Sequence, residues 1–348
     1  MMNRRENMLR AVRFERPERI PMAFWINPAC KNHYPPALLD DLRQSHPYLF
    51  PGFQRRPGLP AAPKPPAQTS VVDEWGVTMA SPEEGIAAVS VKHPLADWRA
   101  LEHYAPPPLP DLKAEEKQRP NLAAENRRDA VAAGHLVTGG LPHGHTFLRL
   151  CDLRGYEALT YDMADGEPRL WRVIEMIEAH NTALVRTSLR RGAEWIAYPE
   201  DLGMQNGPML SPEHFRTYIK PSYRRLMNIA REAGGIIHMH SDGDIRDLAD
   251  DLVESGVQVV NLQDLVNGID WIRRRFRGRV CIDLDIDRQN VTRFGTPAEV
   301  DALIRTEVET LGSREGGLMM IYGMYPGIPP ANAKALMDAM EKYSAHYA

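Results

Sequence analysis

The chain has 348 residues, of which 43% are hydrophobic and 25% are charged, a composition typical of a globular protein with a large core. Its formal net charge is −4, so it has no surplus of basic residues to neutralise a phosphate backbone, which argues against a nucleic-acid partner. It has no apolar run long enough to span a membrane, and its polar start is unlike a signal peptide. We therefore expect a soluble, cytoplasmic protein that acts on a small molecule.

Three cysteines, Cys30, Cys151 and Cys281, are spread along the chain. An odd number of widely spaced cysteines in a chain of this length indicates free thiols in a reducing compartment. Because no two of them are spaced as CxxC, a four-thiolate zinc site is excluded. Any metal site must use mainly histidine and carboxylate ligands, with one cysteine at most.

The first third of the chain predicts few regular elements. A helix is expected at residues 4–15, a strand at residues 20–25, and a hairpin within residues 71–90. Residues 35–70 and 105–120 are rich in proline. Each of these stretches is too short to be a domain, so we interpret them as insertions in a single scaffold.

From residue 135 onward, short apolar strands alternate with helices, which predicts a parallel sheet. The strands are expected at residues 135–139, 195–198, 236–240, 257–262, 279–284 and 318–322. The helices are expected at residues 167–191, 211–233, 245–255, 296–311 and 330–343. Together with residues 20–25 and a strand from residues 86–91, eight strands can be counted. The pattern favours an α/β fold, a closed (β/α)₈ barrel forming one domain over residues 1–348. No glycine-rich phosphate motif follows the first strand, which argues against a dinucleotide-binding fold.

One of these helices contains a proline in its middle. Ser211 and Pro212 are typical of a helix start, and the apolar pattern continues to residue 233. Pro221 lacks a backbone N–H and crowds the preceding turn. We therefore expect a single helix with a kink near Tyr218.

In a barrel of this class the active site lies at the carboxyl ends of the strands. Side chains alternate along a strand, so His238, His240 and Asp242 share one face while Ile237 and Met239 take the other. Two imidazoles and a carboxylate then point into the barrel mouth. The alternative is a pair of satisfied core histidines and an aspartate that caps the next helix. We favour a functional role for His240 and Asp242, and the core alternative carries real weight for His238.

Further polar groups follow other predicted strands. The loop after residues 195–198 contains Glu200 and Asp201, of which only one can easily face inward, and then Gln205 and Asn206. The loop after residues 135–139 contains His143 and His145, which are either ligands or surface histidines. Acids also stand at alternate positions in and beyond residues 279–284, and we expect at least one of them to be functional. These are Asp283, Asp285 and Asp287.

With these motifs the chain resembles the uroporphyrinogen decarboxylase superfamily, which includes the decarboxylase and the zinc-dependent methyltransferases that serve corrinoid proteins. The matching segments occur in family order at residues 5–11, 16–21, 200–208, 240–243, 294–300 and 329–332. Residues 30–130 are not covered, and we expect them to shape the pocket. The resemblance implies a distorted (β/α)₈ TIM barrel and, by analogy, a homodimer.

The chain departs from both best-known branches of this superfamily. The decarboxylases carry an arginine-rich stretch that grips the porphyrinogen carboxylates, whereas residues 21–28 contain no arginine here. The methyltransferases bind zinc through a His-x-Cys pair and a later cysteine. His240 matches the histidine, but Asp242 replaces the first cysteine, and no cysteine stands near Met324. A thiolate site is therefore lost, while a site of histidine and aspartate ligands can still bind a divalent metal.

Two enzymatic interpretations follow from the resemblance. In the first, zinc or another divalent metal polarises a methylated heteroatom, and the methyl group passes to a corrinoid on a partner protein or to another acceptor. In the second, no metal is present, and an acid assists decarboxylation or a related lyase step on a small or tetrapyrrole carboxylate. A barrel that binds a small molecule without chemistry is the remaining alternative. The expected metal ligands are His240, Asp242, His238 and Glu200. The expected catalytic residues are His240, Asp201 and Asp287. The expected substrate contacts are Gln205, Asn206, Tyr322, His143 and Trp25.

Overall fold

A computed structural model describes residues 2–55, 70–81, 88–111, 115 and 117–348. The described residues divide into two compact units. The first unit draws on Met1–Thr69, Ser81–Ala87 and Gln263–Ala348, and the second on Ser70–Ala80 and Ala88–Leu262. Part of the first proline-rich stretch, residues 56–69, lies outside the described residues, as do residues 82–87.

Strands β1–β12 are, in chain order, Met22–Ile26, Ser70–Val72, Thr78–Ala80, Val89–Lys92, Thr138–Gly140, Trp195–Pro199, Gly203–Met204, Gly207–Pro208, Ile236–Ser241, Val259–Gln263, Cys281–Asp285 and Leu318–Met324. In the first unit, β1 and β11 pair with β12, and in the second, β5, β6, β9 and β10 pair in that order. All of these pairings are parallel. Parallel strands separated by helices confirm the predicted α/β class.

The α-helices are Arg4–Arg13, Cys30–His33, Pro36–Ser45, Leu122–Ala133, Phe147–Arg154, Tyr156–Asp165, Arg169–Arg190, Pro212–His214, Lys220–Glu232, Ala249–Ser255, Asp264–Asn267, Ile269–Phe276, Val291–Phe294, Pro297–Leu311 and Pro330–Ser344. Short 3₁₀ segments span Trp98–Glu102 and Arg246–Leu248. The described residues contain no helix that is both long and apolar enough to cross a bilayer. The three cysteines are buried free thiols, as expected.

In the first unit, local sequence signals explain where a long helix begins. The side chain of Thr296 caps Pro297–Leu311 by accepting from Glu299 N–H, and the Glu299 carboxylate accepts in return from Thr296 N–H. This reciprocal capping satisfies two backbone donors that a helix start otherwise leaves exposed. The helix packs against Pro330–Ser344. Every residue of strand β11 is buried, as expected of a parallel strand covered on both faces.

In the second unit, strand β9 shows the alternation that its sequence predicts. Ile237 and Met239 are buried, whereas His238 and His240 are only partly buried on the other face. The long helix Arg169–Arg190 buries the apolar stripe expected from its 3.6-residue period, including Leu170, Ile174 and Ile177. Strand β6 lies between β5 and β9, so the carboxyl ends of these three strands meet at one edge.

The helical segment that contains Pro221 is continuous but irregular. Pro212–His214 leads into a π-helical turn at Phe215–Ile219, and Lys220–Glu232 continues as α-helix. The irregularity falls at Tyr218, where a kink was expected. A π turn is one of the recognised ways in which a helix accommodates such a disruption.

One strand assignment was wrong. Val89–Lys92 does not belong to the parallel sheet, because it pairs antiparallel with β3 in a three-stranded sheet of β2, β3 and β4. The hairpin of β2 and β3 was predicted, with its turn at Trp75 and Gly76. Alternating valines are equally typical of a barrel strand and of an insertion hairpin, so periodicity alone could not distinguish the two.

Candidate functional site

Three side chains from separate segments of the second unit meet at the carboxyl ends of its parallel strands. His143 lies in the loop after β5, Asp201 follows β6, and His240 stands on β9. One ligand atom from each of the three lies within 4.8 Å of the other two. The Asp201 carboxylate is 3.3 Å from His143 Nε2 and 3.6 Å from His240 Nε2. We call these three residues the His-Asp-His cluster.

The loops that carry the cluster are joined by backbone contacts. The N–H of Asp242 donates to Asp201 Oδ1 at 3.0 Å, and the N–H of Leu202 donates to the hydroxyl of Ser241 at 2.9 Å. Gly203 and Gly243 lie against each other, and Gly243 has a φ of +80°. The glycine next to Asp242 therefore fills a position that needs both a left-handed backbone and the absence of a Cβ.

His240 has a defined hydrogen-bond partner on the neighbouring strand. Its Nδ1 donates to Oδ1 of Asn261, which is the residue opposite it in the register between β9 and β10. This contact places the imidazole proton on Nδ1 and leaves the lone pair of Nε2 directed at the carboxylates. Ligand histidines in metal sites are typically oriented in this way by a hydrogen bond from the other ring nitrogen.

Within the cluster, His143 and Asp201 stabilise each other's charged forms. The hydrogen bond to Asp201 raises the pKa of His143, although burial opposes the rise. Burial favours a higher pKa for Asp201, but His143 and the N–H of Asp242 outweigh it, so that the pKa of Asp201 is lowered. Burial also lowers the pKa of His240, against the opposing pull of Asp242 and Asp201. The cluster therefore combines an ionised carboxylate with a neutral imidazole.

Asp242 lies at the edge of this cluster. Its Oδ1 is 3.8 Å from His240 Nε2, and its side chain is 39% exposed. Asp242 comes just after the last residue of β9, and its side chain lies near that of His240, as their spacing predicted. Asp242 therefore stands beside the His-Asp-His cluster, while Asp201 lies between the two imidazoles.

Glu200 points away from the cluster into the interior of the unit. It is 0% exposed, and its Oε1 accepts from the backbone N–H groups of Thr146 and Leu148 at 2.8 and 2.9 Å. Its Oε2 accepts from the hydroxyl of Tyr223. Of the two adjacent acids, Asp201 is the one that faces the histidines, consistent with the expectation that only one could.

The other proposed residues of this unit lie outside the cluster. The ring of His238 packs against Trp195 with ring centroids 5.0 Å apart. Gln205 and Asn206 form the exposed tip of the hairpin between β7 and β8. His145 is buried, its Nδ1 bonds to the hydroxyl of Thr146 at 2.6 Å, and burial lowers its pKa.

Three proposed residues belong to the first unit. Asp287 is buried, and its carboxylate accepts from the N–H groups of Gln289 and Asn290 at 3.0–3.1 Å, so it organises the loop after β11. Tyr322 is buried, and its hydroxyl donates to Thr292 Oγ1 at 3.1 Å. Trp25 is 38% exposed and packs edge-on against Tyr325.

Two residues at the site were missed by sequence reasoning. Asn261 lies between Val260 and Leu262 in strand β10, and Tyr223 lies in an amphipathic helix. A polar side chain between the apolar residues of this buried strand was a usable signal for Asn261. Nothing in the spacing of Tyr223 distinguishes it from an ordinary core aromatic residue.

The fold belongs to the α/β TIM-barrel class. The structure is similar to a methyltransferase from Methanosarcina mazei with a TM-score of 0.65, and the likeness covers 99% of both chains at 14% sequence identity. Parallel strands, intervening helices and this likeness together confirm the predicted α/β barrel class.

The family is shown by the sequence itself. A family model described as uroporphyrinogen decarboxylase matches residues 146–343, which is more than half of the chain. The protein belongs to this family. It is 27% identical to a uroporphyrinogen decarboxylase of Xylella fastidiosa, over 40% of this chain and 41% of that protein. It is 26% identical to a uroporphyrinogen decarboxylase of Thermus thermophilus, over 61% of this chain and 57% of that protein. The matches thus span less than two thirds of either relative.

Proposed function

We propose that the protein is a metal-dependent methyltransferase that removes a methyl group from a small methylated substrate and passes it to a corrinoid or another acceptor. The observation that supports this most is the His-Asp-His cluster at the strand ends. The likeness of the fold to a methyltransferase is consistent with the proposal. Membership of the uroporphyrinogen decarboxylase family supports an enzymatic role.

The donor set fits a divalent metal. Zinc is bound in proteins by imidazole nitrogen and carboxylate oxygen, and catalytic zinc sites commonly have three protein ligands. His143 and His240 offer imidazoles, Asp201 offers a carboxylate, and the ligand atoms lie within 4.8 Å of one another. The hydrogen bond from His240 to Asn261 leaves Nε2 available as the ligand atom. In this proposal the predicted ligand His240 is joined by Asp201 and His143 as the other two ligands.

When bound, the metal supplies a Lewis acid that polarises the heteroatom carrying the methyl group. The residues of the chain would supply position and proton transfer. His143, Asp201 and His240 would hold the metal at the strand ends, with Asn261 orienting one imidazole. Asp242 lies 3.8 Å from His240, and a carboxylate there can take up or return a proton at the heteroatom.

Zinc binding provides the first test. Protein freed of metal with a chelator is titrated with zinc chloride in a calorimeter, and we expect one bound equivalent. His240→Ala and Asp201→Asn should abolish tight binding while the far-UV circular dichroism is unchanged. His103→Ala is the matched control, because His103 is an exposed histidine of the same unit. Unchanged zinc affinity in His240→Ala would refute the assignment of the site.

Methyl transfer provides the second test. Zinc-loaded protein is mixed with free cob(I)alamin and a panel of methylated oxygen, nitrogen and sulfur compounds, and methylcobalamin is followed by its absorbance. We expect at least one donor to react, and His240→Ala to be inactive with it. Because the proposed natural acceptor is a corrinoid on a partner protein, free cob(I)alamin is expected to react slowly.

A decarboxylase or lyase without a metal is the second candidate. It is favoured by the state of Asp201, whose pKa is lowered so that it stays ionised and can stabilise a cationic intermediate. The two curated relatives are also described as uroporphyrinogen decarboxylases. Chelation distinguishes the candidates, because release of carbon dioxide from a carboxylated substrate would then survive removal of the metal.

We also propose a homodimer, by analogy with the family alone. Light scattering at micromolar concentration should give twice the mass of the 348-residue chain. A monomeric mass under these conditions would remove this part of the proposal.

A further inference from the structure

We infer that Glu200 is a positioning residue that fixes the relative placement of all three members of the His-Asp-His cluster. The inference deepens the proposed function, since it concerns how the same site is built. Glu200 was among the expected metal ligands, and this role replaces that one. Glu200 touches no ligand atom of the His-Asp-His cluster. It acts through the chain segments that carry the three cluster residues.

Glu200 is bonded to two of these segments and is continuous with the third. Its side chain accepts from Thr146 and Leu148 N–H groups, which directly follow the loop that carries His143. Its backbone N–H donates to the carbonyl of His240 at 2.9 Å. Asp201 is its neighbour in the chain. A single residue therefore links the loop after β5, the end of β6 and strand β9.

The hydrogen bonds to the Glu200 carboxylate hold this side chain firmly in position. A carboxylate that is 0% exposed is stable only when its oxygens are hydrogen-bonded, and here three donors point at them. Two of these donors lie at the start of the helix Phe147–Arg154, where the helix dipole also favours a negative group. Loss of the carboxylate would leave these N–H groups buried without an acceptor.

Tyr223 completes the arrangement from the opposite side. Its hydroxyl donates to Oε2 of Glu200, and its ring packs against His145 with ring centroids 5.4 Å apart. The residue is fully buried in the helix Lys220–Glu232. Tyr223 therefore holds the carboxylate in the orientation in which its other oxygen meets Thr146 and Leu148.

The geometry of the cluster depends on this anchor. His143 is three residues before Thr146, which donates to Glu200, and Asp201 follows Glu200 directly. The position of His143 relative to Asp201 therefore depends on the hydrogen bonds of Glu200. Metal ligands must be held within a fraction of an ångström of the productive geometry, and support residues of this type commonly change metal affinity by about 10- to 100-fold. The anchor should therefore be visible in zinc affinity as well as in local backbone stability.

Four variants test the inference. Glu200→Ala removes the acceptor, and Tyr223→Phe removes a single donor to it. Glu200→Gln is the conservative variant, because its amide oxygen can still accept from the backbone while its NH₂ group faces the tyrosine hydroxyl. Tyr198→Phe is the matched control, since Tyr198 is also fully buried but its hydroxyl donates to the carbonyl of Leu226.

Two readouts are measured on each variant. The first is zinc affinity by calorimetry, corrected by urea unfolding for any loss of folded protein. The second is amide hydrogen exchange of residues 141–149 in the zinc-free protein. We expect Glu200→Ala to weaken zinc binding by about 10- to 100-fold and to speed exchange in this segment, with a smaller effect for Tyr223→Phe. Glu200→Gln should restore most of both, and Tyr198→Phe should change neither.

The outcomes separate the two claims. If wild-type protein binds no zinc, the proposed metal site fails, while the exchange of residues 141–149 still decides whether Glu200 is the anchor. If Glu200→Ala does not fold, Tyr223→Phe decides in its place. The inference is overturned if the folded variants at both positions keep wild-type exchange. The inference is also overturned if Tyr198→Phe speeds exchange of residues 141–149 as much as the Glu200 and Tyr223 variants do. The effect would then be a general loss of stability.

Discussion

A Cβ atom added to Gly243 would lie 2.1 Å from the carbonyl carbon of Gly203. Gly243 lies in the loop after β9, next to Asp242, and Gly203 begins strand β7, two residues after Asp201. The amide of Asp244 also donates to the carbonyl of Met204 at 2.7 Å. Direct contact between the two backbones is thus part of how the site is assembled.

Replacement of Gly243 by alanine should therefore be costly. The left-handed backbone alone costs an alanine about 1–2 kcal/mol, and the clash with Gly203 should add roughly 1–3 kcal/mol. Gly234→Ala is the matched control, because Gly234 also has a positive φ but an added Cβ would meet no atom within 4 Å. The free energy of unfolding from urea titrations compares the two. Equal losses in the free energy of unfolding would show that the contact between Gly243 and Gly203 does not stabilise the protein.

Asn261 should control the affinity of the site for zinc without being a ligand. Asn261→Ala removes the acceptor that orients His240, and we expect zinc affinity to fall by about 10- to 100-fold. Asn261→Asp keeps an acceptor in place and should retain most of the affinity. Calorimetric titration measures both variants. Similar losses in the two would mean that the asparagine serves packing, not orientation.

Glu307 predicts an unusual dependence of stability on pH. It is fully buried in the helix Pro297–Leu311, and burial, together with the adjacent carboxyl of Asp264, raises its pKa well above the ordinary value of 4.5. Above pH 4.5 the unfolded chain has lost this proton while the folded chain keeps it. The free energy of unfolding should therefore fall as pH rises toward the folded pKa, by up to about 1.4 kcal/mol per pH unit.

Glu307→Gln should remove this slope, because a glutamine does not titrate and can donate to the Asp264 carboxylate. Glu309→Gln on the same helix is the control, since Glu309 is exposed. Urea unfolding between pH 5 and pH 8 measures the slope. A wild-type protein whose stability is flat over this range would contradict the prediction.

We also predict that the chain unfolds as one domain, although its contacts divide into two units. Each unit contains only a small set of parallel strands, and a parallel sheet is stable only when both its faces are covered. Differential scanning calorimetry should show a single transition. Two well-resolved transitions would mean that the units fold independently.

The alternation of side chains along a strand was sufficient to predict that His240 and Asp242 lie close together, although Asp242 comes just after the last residue of β9. The same argument could not separate Asp201 from Glu200, because both follow Pro199, where the strand ends and the alternation stops. The role of His143 depends on the path of the loop after β5, which no periodicity describes. Asn261 faces His240 only through the register of β9 and β10, which is set by packing across the sheet.

The π turn at Phe215–Ile219 has a consequence for residues well beyond it. An α-helix turns by about 100° per residue, so a turn that is wider by one residue rotates the rest of the helix about its axis. Tyr223 lies after this turn and reaches Glu200 with its hydroxyl. The direction in which the Tyr223 side chain points thus depends on the one extra residue in the π turn. Deleting one residue from the turn would leave the sequence of the following helix unchanged. It would rotate that helix about its axis, so that Tyr223 would contact a different neighbour.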